Sequence, residues 1–91
     1  MTIFAILTPA ENPQLGSDIA RLFPENHFQV APNQWLVAAS GTTAKEVSDK
    51  LDITEGGKGK ALIISVGNYY GRHSTDLWEW IKAKWDLKPN G

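Results

Sequence analysis

Ninety-one residues with a mass of 10.0 kDa make one domain's worth of chain. Such a chain buries roughly 60–65% of the surface its unfolded form exposes, and it is too short for two cores. Apolar residues at 42% and charged residues at 21% argue against disorder. A net charge of −1 excludes a global pull toward nucleic acid or an anionic membrane, and the lack of cysteine excludes disulfides, thiolate zinc sites and cysteine nucleophiles.

The chain opens with a continuous apolar run, Ile3 to Leu7, stopped by Thr8-Pro9. That length fits a buried strand over 2–7. The run has no basic segment before it and is too short for a secretory signal. Nothing approaches the roughly 18 apolar residues of a membrane span, so a cytoplasmic protein without membrane contact is expected. Leu15, Ile19 and Leu22 recur on one helical face, with Pro13 suited to the first turn, Glu11 and Asn12 as loop and cap residues, and Phe23-Pro24 as the stop. Phe28 and Val30 alternate as in a strand over 27–31. Pro32-Asn33 is a turn dipeptide, and Trp35 to Ala39 completes an antiparallel hairpin.

Thr43 and Glu46 have capping-box spacing ahead of a second helix, whose buried face is Ala44, Val47 and Leu51. Asp49 and Asp52 read as its solvated side. Gly56 to Lys60 reads as a flexible connection, followed by a fourth strand over 61–66. Ser74 or Thr75 caps a third helix through about Trp85, with Asp76 at its positive end and Lys82 and Lys84 at the other. Residues 1–86 are read as one domain and 87–91 as a frayed tail. The order β-α-β-β-α-β-α predicts an α+β fold, a ferredoxin-like plait with a four-stranded antiparallel sheet and an added C-terminal helix.

The first and third strands are apolar on both sides. Ile3, Ala5 and Leu7 alternate with Phe4 and Ile6, and Trp35, Val37 and Ala39 alternate with Leu36 and Ala38. Both sheet faces are therefore expected to be at least partly covered. The third helix is one cover; a second copy of the chain is the other. Trp78, Ile81 and Trp85 make one helical stripe, whereas Trp80 lies about 200° around from Trp78. An apolar arc this wide points to a contact surface and a homodimer, with Phe4, Ile6, Leu36, Trp78, Trp80 and Trp85 as interface residues. A protein partner is an alternative user of the same surface.

The stretch from Gly67 to Thr75 follows a strand and opens a helix. Arg72, His73 and Ser74 there suit an anion, and Tyr69 and Tyr70 suit stacking on a base. The competing reading is a loop whose tyrosines pack on the sheet edge and whose Ser74 is only a cap. Lys58 and Lys60 are candidate phosphate contacts. Their loop is not a Walker A motif: Thr54 stands where its first glycine belongs and Ala61 where its Ser or Thr belongs. His27 and His73 are the only histidines and have no metal-ligand spacing, so no metal, cofactor or catalytic residue is assigned. His73, Ser74 and Asp76 are triad residue types, but sequence neighbours at a helix start cannot easily point at one another.

The stretch from Gln34 to Leu51, followed by Ala61 to Val66 and the Trp78-Glu79-Trp80-Ile81 segment, resembles small bacterial proteins labelled as the SinR family. More distantly, the layout is similar to the ferredoxin-like small subunit of the CRISPR adaptation complex. That resemblance implies a dimer with a metal-binding aspartate at the end of the first strand. Leu7-Thr8-Pro9 stands there in this chain, so metal-dependent nuclease activity is not carried over and a degenerate nuclease is an alternative. DNA-binding repression is not carried over either, because no helix-turn-helix layout is present. The expected function is a non-enzymatic, self-associating or protein-binding domain, with a nucleic-acid-binding module as the other alternative.

Overall fold

The structure is a computed structural model that describes residues 1–85. The expected frayed tail at 87–91 lies outside the described residues. Seven elements follow in order: β1 (Thr2–Leu7), α1 (Pro13–Leu22), β2 (His27–Ala31), β3 (Gln34–Ala39), α2 (Ala44–Lys50), β4 (Leu62–Ser65) and α3 (Thr75–Trp85). The fold is α+β. Its sheet has four strands in the order β2-β3-β1-β4, and every neighbouring pair is antiparallel. Among the described residues, no helix is long and apolar enough to cross a membrane.

Local chemistry sets the element ends. The Asn12 side chain accepts from the Leu15 N–H at 3.1 Å, and Pro13 fills the first position of α1, where a missing N–H costs nothing. The Thr43–Glu46 capping box forms at α2, with both partners reciprocally bonded. At the far end of β1, Thr8 is clasped to the hairpin turn. Its N–H donates to the Asn33 carbonyl at 3.0 Å, and the Asn33 amide donates back to the Thr8 carbonyl at 3.1 Å.

Strand register decides which side chains share a face. Phe4 stands opposite Val37, and Ile6 opposite Trp35. These four pack under α1 and α2 with Leu15, Ile19, Val47 and Leu51. α1 lies over the Trp35 indole at Gly16, where a Cβ would make an ordinary van der Waals contact with the ring at 3.4 Å. The opposite face carries Ile3 and Ala38, covered by Leu77 and Ile81 of α3. The chain's own third helix thus covers part of the second face.

The interface expectation needs correcting at two residues. Phe4 and Ile6 are fully buried beneath the two-helix layer and do not share a face with Leu36. Leu36 stands opposite Ala5 and packs with the α3 cluster. The sequence reading had β1 one residue out of phase with β3. The breadth of the apolar arc on α3 is also used within the chain. Leu77 and Ile81 point down to the sheet, Trp80 leans over Phe28 with ring centres 6.0 Å apart, and Trp78 and Trp85 flank Tyr69.

Candidate functional site

The two loops singled out by sequence leave opposite ends of β4, and the structure does not bring them together. Residues 56–60 do not form a loose connection. Their turns are hydrogen-bonded in succession, Gly56 to Ile53, Lys58 to Asp52 and Gly59 to Gly56. Gly56 and Gly59 adopt φ of 85° and 84°, which glycine tolerates best. Lys58 is tied down on α1: its ammonium pairs with Asp18 at 3.1 Å, and its carbonyl accepts from the Asn12 amide at 2.7 Å. Arg21 holds the other side of the pair at 3.0 Å. These two cations hold the Asp18 carboxyl below the usual carboxylate range, Arg21 foremost. Lys58 is therefore a structural cation; of the two lysines in this loop, Lys60 is the exposed one with no ion pair among the described residues.

The loop of residues 67–74 also divides. Tyr69 is wedged between Trp78 at 5.8 Å and Trp85 at 4.9 Å, so its ring serves the packing of α3. Tyr70 is fully exposed. The Ser74 N–H donates to His73 Nδ1 at 2.8 Å, and Ser74 Oγ accepts from the Leu77 N–H at 3.4 Å as a helix cap. No hydrogen bond joins Asp76 to His73 among the described residues, and the three do not form a triad. No group of three metal-ligating side chains gathers among the described residues.

Two other features present open apolar surface. One is a cavity of about 280 Å³ between α3, the loop before it and the sheet. Its floor is Ala5, Leu7, Val30 and Leu36, and Leu77, Trp78 and Ile81 form a wall. Tyr70, Arg72 and His73 also line it. The other feature is β4 itself. This outermost strand presents Leu62 at 58% and Ile64 at 42% exposure. They stand opposite Leu7 and Ala5, so the exposed apolar strip adjoins the cavity floor.

The sequence reading missed this strip. The run from Ala61 to Val66 looks like a strand buried on both sides, and only its place at the edge of the sheet leaves half of it uncovered. The edge position follows from the predicted plait order, so the signal was present. No protein family, curated protein or solved structure matches the chain.

Proposed function

We propose that this chain is a small, non-enzymatic, cytoplasmic binding domain of the ferredoxin-like plait type that associates with a second copy of itself through β4. The observation that carries the reading is the pair Leu62 and Ile64, exposed on an outermost strand. The strand order and the antiparallel ladders support the plait assignment. The cysteine-free sequence is compatible with a reducing compartment. The resemblance to the SinR-labelled proteins belongs to this proposal and rests on the strand, cap and tryptophan-helix layout.

Edge strands usually carry a guard against pairing: a proline, an inward charge or a bulge. Leu62–Ser65 contains neither a proline nor a charge, and its ladder with β1 is regular. Antiparallel pairing of two β4 strands about a two-fold axis keeps each side chain on its own sheet face. Centred on Ile64, it sets Leu62 against Val66 and Lys60 against Asn68, so no like charges meet. The result is a continuous eight-stranded sheet with the two exposed strips joined. Nucleic-acid binding has less support, because Lys58 and Tyr69 are both occupied within the fold.

Light scattering on the eluting protein tests the reading. A dimer at micromolar concentration that Ile64→Lys converts to a folded monomer is the expected outcome. A monomeric wild-type chain, or a dimer indifferent to Ile64→Lys, overturns it.

A further inference from the structure

The cavity beside α3 has a composition that specifies more than apolar contact. Its floor and α3 wall are aliphatic and aromatic, and no carboxylate lines it. Arg72 lines it too, exposed, with no ion pair among the described residues. A guanidinium beside an apolar pocket is complementary to an anionic head on an apolar body.

Size narrows the body. A cavity of roughly 150 Å³ holds benzene. The 280 Å³ here therefore takes a ligand of roughly ten to twelve non-hydrogen atoms. We propose that the cavity binds a small amphipathic carboxylate, its chain or ring against Leu7, Leu36 and Trp78 and its head group on Arg72. Tyr70 also lines the cavity and is fully exposed, so its aromatic face adds to the apolar surface offered to the ligand. This site does not depend on β4 pairing, because none of these contacts involves Leu62 or Ile64.

Octanoate is the probe, with octanol as the uncharged comparator and amide and indole N–H shifts in NMR as the readout. Octanoate is expected to shift signals of Leu36, Arg72 and Trp78 in a saturable way. Octanol is expected to bind about tenfold more weakly, the scale of one charge-assisted hydrogen bond. Arg72→Gln, a change at an exposed residue, is expected to remove that difference and leave octanol binding unchanged. The proposal falls if octanoate moves no cavity signal. It falls equally if shifts centre on Leu62 and Ile64, or if octanoate and octanol bind alike and Arg72→Gln changes neither.

Discussion

The two faces of the sheet start from similar strands and are sealed to different degrees. Under α1 and α2 the described residues bury ten apolar side chains in one cluster; under α3 they bury four, with a larger ring of half-buried ones around them. Geometry accounts for the difference. Four strands spaced about 4.8 Å apart span nearly 20 Å, whereas one helix with its side chains is about 10–12 Å across. Two helices cover such a width and one does not. α3 packs chiefly on β1, β2 and the strand between them, and Leu62 and Ile64 of β4 stay exposed. The tryptophans flanking α3 extend its footprint sideways. They reach Phe28 on one side and Tyr69 on the other, and Leu62 stays exposed.

Deleting one large side chain from each face gives the largest expected contrast between them. Phe4→Ala empties a fully buried site and is expected to cost about 3–5 kcal/mol. For a domain of this size that is a large share of a total stability of about 5–10 kcal/mol. Trp80→Ala removes a half-buried ring and its contact with Phe28, with an expected cost of about 1–2 kcal/mol. Urea unfolding of the two variants measures both. Equal losses would mean that the second face is as tightly built as the first.

A smaller effect separates the faces by pH. The helices of the first face carry two carboxylates with lowered pKa. Arg21 and then Lys58 act on Asp18; the Thr54 hydroxyl and then Lys45 act on Asp49. A carboxyl lowered in the folded state stabilises it above the unfolded value, here 3.8. That contribution is lost as pH falls from 3.8 through the lower folded values. The thermal midpoint should therefore drop below about pH 4, and the Asp18→Asn, Asp49→Asn double variant should show a shallower drop. An unchanged slope would remove these groups from the acid response. Both carboxylates are near the surface, so added salt should blunt the effect.

Much of this architecture was legible in the residues. Pro13, the Thr43–Glu46 spacing and Pro32-Asn33 mark element ends through local chemistry, and local chemistry needs no knowledge of the rest of the chain. The face assignment of β1 was not legible. A strand apolar on both sides has no polar member to mark the outside, so Phe4 and Ile6 could be assigned to either layer until register with Val37 and Trp35 fixed them. The same holds for Lys58, whose partner Asp18 is far away in sequence. At the candidate site, the helix cap at Ser74 was visible, and the wedge formed by Tyr69 was not, because it depends on where α3 lands.

The placement of the indoles makes the molecule report on itself. Of four tryptophans, Trp35 is buried beneath α1, and Trp78, Trp80 and Trp85 all ride on α3. In a Trp35→Phe chain, every indole photon would come from that one helix. An emission red shift that precedes the loss of far-ultraviolet ellipticity would show α3 lifting while the strands and the other two helices stay folded. The thinner of the two layers can thus be watched opening without any added dye.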